Sequence, residues 1–350
     1  MNLSEIVENT SIKIPIFYTE KIHGYDIPVF VNFHQMYTKE ERLGVGGAGY
    51  VSTYRENLTG NIYAIKEILI AGDEDINFYK SLISEVQILK DLTANHYSPS
   101  ILKYHDSFIY DNSESRFYMI VTEYIKGFSL DKIPNENVEL LTHIILPFSY
   151  WLFDTLAFIH GLGYVHRDIK PHNIMLDTVN NRFVLIDFGL SCTINKNKSG
   201  LMCKNEYFYG TTKFMPPEVL LQEPKNFKTE SSRIIKFNRH KSIDGYDNSS
   251  KLEKLKAADI WSAGITLYFL TEGNLPWGST FDVNVVEKII GPYPIPYKNQ
   301  VLSEVYWICV YKEIPKNVMM QQVYVIKLLV LLPILNLYYI IPNSIIGNFK

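Results

Sequence analysis

Between residues 37 and 68, β-branched and aromatic positions interleave with polar ones around a glycine cluster. The run continues through YVSTYREN and, after a turn at Leu58, Thr59, Gly60 and Asn61, through NIYAIKEI. Strand side chains point alternately to opposite faces, so this pattern predicts three antiparallel strands. From residue 76 to 92 the period changes: Leu82, Val86 and Leu89 fall on one helical face, which predicts a helix after the strands. SRFYMIVTEYI reads as further strand, and residues 140–160 and 259–271 read as helices. The order is a small β-rich lobe followed by a larger, mainly α-helical one, an α+β class, and no internal repeat suggests a solenoid.

Two segments break the pattern. Residues 222–256 are rich in Lys, Asn, Ser and Glu and read as an exposed insertion. From Leu328 to Phe349 no charged residue occurs, but Pro333 and Asn336 interrupt the apolar run, and its 14-residue core from Leu328 to Ile341 falls short of the roughly 20 residues a membrane span needs. It is read as a buried helix, with a membrane anchor as the alternative.

Composition narrows the possibilities. The 350 residues are 47% apolar, an ordinary supply of core for one large two-lobed domain. Lys plus Arg is 34 against Asp plus Glu 37, and the net charge of −3 gives no electrostatic reason to expect nucleic acid as a partner. Only three cysteines occur, Cys192, Cys203 and Cys309, with no C-x-x-C pair; this fits a reducing compartment and argues against a disulfide framework or a thiolate zinc site. The N-terminal stretch carries Glu5 and Glu8 and does not read as a secretory signal, and Asn2 excludes N-myristoylation. A cytoplasmic chain is expected, without a membrane partner.

Gly44-Val45-Gly46-Gly47-Ala48-Gly49 matches G-x-G-x-x-G. A dinucleotide fingerprint would pass from strand directly into helix, whereas here more strand follows at Tyr50 and Val51, so a glycine hairpin is the better reading. Without side chains such a hairpin lets backbone N–H groups approach phosphate oxygens, and Val51 beyond it can cover a purine ring. Lys66 lies among Ile62, Ala64, Ile65 and Ile68, where an ammonium group is costly to bury alone. Glu85, 19 residues on in the predicted helix, is its candidate partner and would keep Lys66 aimed at a phosphate.

His166-Arg167-Asp168-Ile169-Lys170-Pro171-His172-Asn173 is followed, 14 residues after Asn173, by Asp187-Phe188-Gly189, and later by GTTKFMPPE and DIWSAG. With the glycine hairpin and AIK, these strings resemble the eukaryotic protein kinase family in its own order over residues 37 to about 290. The resemblance implies ATP and Mg²⁺ as cofactors and protein substrates carrying Ser or Thr. Transfer of a terminal phosphoryl group depends on positioning and charge neutralisation. Accordingly, Asp168 would accept or orient the substrate hydroxyl proton, Lys170 and Lys66 would neutralise phosphate charge, and Asn173 and Asp187 would hold Mg²⁺. Leu43, the glycine hairpin, Val51, Ala64, Lys66 with Glu85, and Met175 would surround ATP. Thr122, Glu123 and Ile125 would form the segment joining the lobes and meet the adenine, and Ser129 would reach the ribose.

By the same resemblance, Asp259 steadies the catalytic-loop backbone, and His166, Phe188, Leu89 and Tyr104 form a packing column. Lys170 and Thr211 point to the serine/threonine group, and Arg167 could clamp a phosphate on the segment from Asp187 to Glu218, where Ser191, Thr193, Ser199, Tyr207, Tyr209 and Thr212 are possible acceptors. The expected organisation is an N-terminal extension over 1–36, a kinase domain over 37–335 (lobes 37–124 and 125–335, insertion 222–256) and a divergent apolar tail over 336–350. Pro216 replaces the usual Ala before Pro217-Glu218. No arginine follows Arg239, although the family pairs its Glu218 equivalent with a late arginine; Lys327 or a rebuilt lobe end would have to compensate. A nucleotide-binding scaffold with impaired turnover is therefore the alternative function.

Overall fold

Alternation along the strands sorts their side chains onto two faces, and both faces are covered. The computed structural model describes residues 17–22, 24–46, 49–70, 76–96, 98–112, 114–133, 138–193, 195, 200–203, 210–220, 248–278 and 289. The chain divides into one unit through Ile125 and a second from Lys126. The first is built on seven strands: β1 (Phe17–Ile22), β2 (Tyr25–Phe30), β3 (Tyr37–Gly46), β4 (Gly49–Glu56), β5 (Ile62–Ile70), β6 (Tyr104–Asp111) and β7 (Arg116–Glu123). Their order in the sheet is β1-β2-β6-β7-β5-β4-β3, antiparallel at every pairing except β2 with β6, which is parallel. A one-turn helix, α1 (Phe33–Met36), precedes β3, and α2 (Ile76–Lys90) runs on into a π turn at Asp91–Asn95.

The period of two is visible in what each face buries. Ile68, Ile70, Ile109, Tyr118 and Ile120 join the cluster under α2, whereas Ile65, Phe108, Met119 and Val121, one position out of phase, join Phe33, Tyr37 and Tyr54 on the other side. The predicted helical face of Leu82, Val86 and Leu89 is buried, and so are Tyr79, Ile83 and Ile88. The helix is covered more widely than a one-stripe pattern implies because β1 and β2 also pack on it: Ile22, Ile27 and Val29 share its cluster.

Those two strands are the main addition to the sequence reading, which assigned no element before residue 37. Their alternation is short, Gly24 breaks it, and Pro28 cannot donate to a ladder, which argues against strand in a sequence read alone. The parallel β2–β6 pairing likewise departs from an all-antiparallel sheet.

In the second unit, β8 (Gly127–Ser129), β10 (Ile174–Asp177) and β11 (Arg182–Leu185) form one small sheet, and β9 (Tyr164–Val165) pairs with β12 (Cys192–Thr193). Helix α3 (Val138–Gly161) packs against α5 (Asn248–Glu272), with α4 (Pro217–Leu220) between them in sequence. Phe148, Trp151 and Phe183 pack ring against ring at the middle of α3.

Two expectations are corrected here. Residues 248–256, assigned to the insertion, are the first turns of α5; the stretch is rich in the strong helix formers Lys, Leu and Glu, and Leu255 is buried. Residues 221–247 lie outside the described residues, as do the apolar tail and Lys327. Second, Cys192 and Cys203 form a disulfide across 11 residues of sequence. The Thr193 N–H donates to the Leu201 carbonyl and the Cys203 N–H to the Thr193 carbonyl, each at 2.8 Å, which brings the two cysteines together. Both are buried with Val165 and Leu255. Cysteine number and spacing carry no sign of a pairing made by strand geometry.

Candidate active site

The register of the first sheet brings four predicted site residues onto one face. Val51 stands opposite Lys66, and Ala64 opposite Thr122 and Thr53, so Val51, Ala64, Lys66 and Thr122 project to the side that carries α2. There the Lys66 ammonium donates to both carboxylate oxygens of Glu85, at 2.8 and 3.0 Å, with both side chains largely out of solvent. The 19-residue spacing of the sequence thus corresponds to a real pair.

β3 and β4 make the glycine hairpin. Gly44 pairs with Val51, Val45 with Tyr50, and Gly46 with Gly49; Leu43 and Val45 are exposed, and Gly47 and Ala48 lie outside the described residues. A Cβ on Gly49 would sit 2.2 Å from the Glu67 carbonyl oxygen, while one on Gly44 would meet nothing within 4 Å. Close approach of β4 to β5 therefore requires the glycine at 49. At the end of β7 the Thr122 hydroxyl donates to the Ala64 carbonyl at 3.2 Å, the Glu123 N–H donates to the Lys103 carbonyl at 3.0 Å, and Ile125 is buried.

The second unit holds the HRD segment between β9 and β10. Asp259, fully buried on α5, accepts from the His166 N–H at 2.8 Å, the Arg167 N–H at 2.7 Å and His160 Nε2 at 2.8 Å. Burial alone would raise its carboxyl, but the hydrogen bond and charge of His160, the charge of His166 and the His166 N–H outweigh that and hold it below the ordinary carboxylate range. These bonds fix Arg167 at φ 69°, in the left-handed region a non-glycine residue adopts only when its surroundings impose it. Its Nε donates to the Leu190 carbonyl at 2.5 Å. Burial pushes His166 below its ordinary value. The neutral tautomer suits both ring contacts: Nε2 donates to the Ile186 carbonyl at 3.2 Å and Nδ1 accepts the Asp168 N–H at 3.3 Å.

Asp168 is the centre of the arrangement. Its Oδ2 receives the Asn173 amide at 2.9 Å and the Lys170 ammonium at 2.7 Å, and its Oδ1 receives the Thr211 N–H at 2.9 Å and the Thr211 hydroxyl at 2.8 Å. Lys170 also donates to the Thr211 hydroxyl at 2.7 Å. Asp187 is exposed, at φ 61°, and accepts the Gly189 N–H at 3.3 Å. Ser129 and Met175 face each other across β8 and β10. Next to them a Cβ on Gly127 would fall 1.8 Å from the Leu176 carbonyl oxygen, so this strand pairing also needs glycine.

Sequence similarity agrees with this geometry. The family model described as the protein kinase domain matches residues 37–232, more than half of the chain. The chain belongs to the protein kinase family. Among similar proteins, the serine/threonine-protein kinase cds1 of Schizosaccharomyces pombe is 30% identical over 269 residues, 75% of this chain and 50% of that protein. Sperm motility kinase 3A of Mus musculus is 28% identical over 264 residues, 75% of this chain and 43% of that protein. Mitogen-activated protein kinase kinase 9 of Arabidopsis thaliana is 30% identical over 234 residues, 67% of this chain and 63% of that protein. The chain thus spans about half the length of the curated relatives it matches.

Within the kinase domain, Thr211 is a residue the sequence reading used only as a group marker; its two bonds to Asp168 make it part of the site. Its position 43 residues beyond Asp168 gave no local signal of that contact. Of the four residues expected to form a packing column, the His166 and Phe188 rings meet at 4.9 Å, and Leu89 and Tyr104 belong to the first unit. Two of the candidate phosphate acceptors are buried hydrogen-bond donors, Ser191 to the His166 carbonyl and Thr193 to the Gly163 carbonyl. Ser199, Tyr207 and Tyr209, and the Glu218 side chain, lie outside the described residues.

The donor set suits Mg²⁺. Asn173 commits its amide nitrogen to Asp168, to the carbonyl at 2.8 Å as well as the carboxylate, which leaves its hard amide oxygen as the atom for a cation. Asp187 adds a carboxylate. Among the described residues no group of three or more His, Cys, Asp or Glu could hold a metal. Among the same residues no helix is long and apolar enough to cross a membrane.

Proposed function

We propose that this chain is an ATP- and Mg²⁺-dependent protein kinase that transfers the γ-phosphoryl group to Ser or Thr hydroxyls of protein substrates. The observation that carries the proposal is the Asp168 carboxylate, fixed by Asn173, Lys170 and Thr211 together. In this reading the substrate hydroxyl oxygen bonds to the γ-phosphorus as the bond to the bridging oxygen of ADP breaks, and the hydroxyl proton passes to Asp168. Lys170, beside Asp168, offsets charge on the transferred group, and Lys66, steadied by Glu85, does so on the ATP phosphates. Mg²⁺, held by Asn173 and Asp187, would neutralise phosphate charge in the same step. The Lys170–Thr211 bond supports a hydroxyl acceptor of the serine/threonine class, as do the names of the relatives.

The test is transfer of radiolabelled γ-phosphate to generic protein substrates, comparing the full chain with Asp168→Asn and Asp187→Ala. Label on phosphoserine or phosphothreonine in the wild type, reduced at least about 100-fold in either variant, is expected from the size of general-base and metal contributions. The second reading, a nucleotide-binding scaffold, rests on the lack of any arginine after Arg239. ATP binding without transfer would favour it.

A further inference from the structure

The strands before residue 37 lie outside the segment matched by the family, residues 37–232, yet they complete the seat of the helix that carries Glu85. Ile27 and Val29 of β2 and Ile22 of β1 are buried in the same cluster as Leu82, Ile83 and Val86 of α2. These three helix residues flank Glu85 in sequence, so the apolar contact and the carboxylate are one rigid turn of helix. The hairpin is in turn fastened to the sheet. Val29 and Phe30 pair with Ile109 and Tyr110, Arg116 of β7 forms an ion pair with Glu20 of β1, and Phe30 meets Phe108 edge to face on the opposite side.

A helix sheltered on the sheet alone could swing or rotate and carry Glu85 away from Lys66. With three hairpin side chains seated against it, any such motion opens apolar surface to water. We propose that the Phe17–Phe30 hairpin is a positioning element for catalysis, with Ile27 and Val29 acting through α2 to keep Glu85 on Lys66. The inference rests on the kinase reading for its consequence, because it is the ATP phosphates that Lys66 would meet. It also predicts that the pair forms without any phosphate on the segment after Asp187.

The experiment uses the full chain and compares wild type, Ile27→Ala with Val29→Ala, the milder Glu20→Gln, and each combined with Glu85→Gln. Fluorescent ATP–Mg²⁺ titration, hydrogen exchange of residues 76–90, steady-state kinetics and a thermal melt are read for each. The expected result is a double-alanine protein that melts cooperatively, exchanges faster over residues 76–90, and loses at least about 10-fold in kcat/KM for ATP. Glu20→Gln is expected to lose about 2-fold. In the Glu85→Gln background neither change should lower activity further, since residues acting through one pair are non-additive. A conservative Val29→Ile should retain wild-type values.

Unchanged ATP affinity and kcat/KM in a folded hairpin variant would overturn the inference, as would losses that multiply with Glu85→Gln. Should the double-alanine chain fail to fold, Glu20→Gln decides by the same two criteria. A wild type that binds ATP but transfers no phosphate would sink the kinase reading; the inference would then stand or fall on whether the hairpin changes weaken ATP binding.

Discussion

Alanine differs from glycine by one methyl group, and at Gly49 that group would land 2.2 Å from a backbone oxygen of the neighbouring strand. Backbone cannot yield as a flexible side chain does, so Gly49→Ala is expected to cost about 1–3 kcal/mol of stability. Gly44→Ala should stay within about 1 kcal/mol; urea midpoints of the two variants measure the contrast. The G-x-G-x-x-G string made these glycines look equivalent, because a motif records residue type and not which neighbour approaches. Asp259 makes a second test at this scale. Removing its side chain leaves two N–H groups and His160 without their buried acceptor, and Asp259→Ala should destabilise by about 3–5 kcal/mol. Its folded carboxyl titrates below the ordinary 3.8, so its contribution is complete above that pH and lost as pH falls through the depressed value. Acid unfolding followed by circular dichroism should therefore show a shallower decline below pH 3.8 in Asp259→Asn than in wild type.

Among the elements, those with a clean period were legible: β3, β4, β5 and β7 by alternation, and α2 and α3 by helical spacing. The Lys66–Glu85 pair was anticipated on other grounds, because an ammonium group among apolar strand residues needs a partner and Glu85 lies at a suitable spacing in the predicted helix. β1 and β2 were not legible, because Gly24 and Pro28 hide a strand whose burial depends on a helix 50 residues later. The start of α5 was hidden by polar composition. The disulfide was hidden because its cysteines are brought together by the Thr193–Met202 bridge and the backbone bonds beside it, which spacing does not reveal. That cross-link closes a loop of 11 residues and should contribute about 2–4 kcal/mol. Cys203→Ser is expected to lower the unfolding free energy from urea titration by that amount under oxidising conditions and to match the wild type in excess dithiothreitol; equal stabilities in both buffers would count against the bond.

For the whole molecule, each unit carries a separate part of the proposed chemistry: the Lys66–Glu85 pair in the first, Asp168, Asn173 and Asp187 in the second. Ligand binding to the folded chain alone stabilises it by mass action, about 2.7 kcal/mol at a ligand concentration one hundred times Kd. ATP with Mg²⁺ should raise the melting temperature by several degrees, and Asp187→Ala or chelator should remove the Mg²⁺-dependent part of that shift. The hairpin bears on how the molecule could be divided. The family match begins at residue 37, but a fragment cut there would lose β1 and β2 and leave β6, with Phe108 and Ile109 in it, as an unpaired border of the sheet. An exposed apolar strand border is a template for joining other chains. The boundary of the matched family is therefore not the boundary of the folding unit, and such a fragment would be expected to aggregate where the chain from residue 17 onward does not.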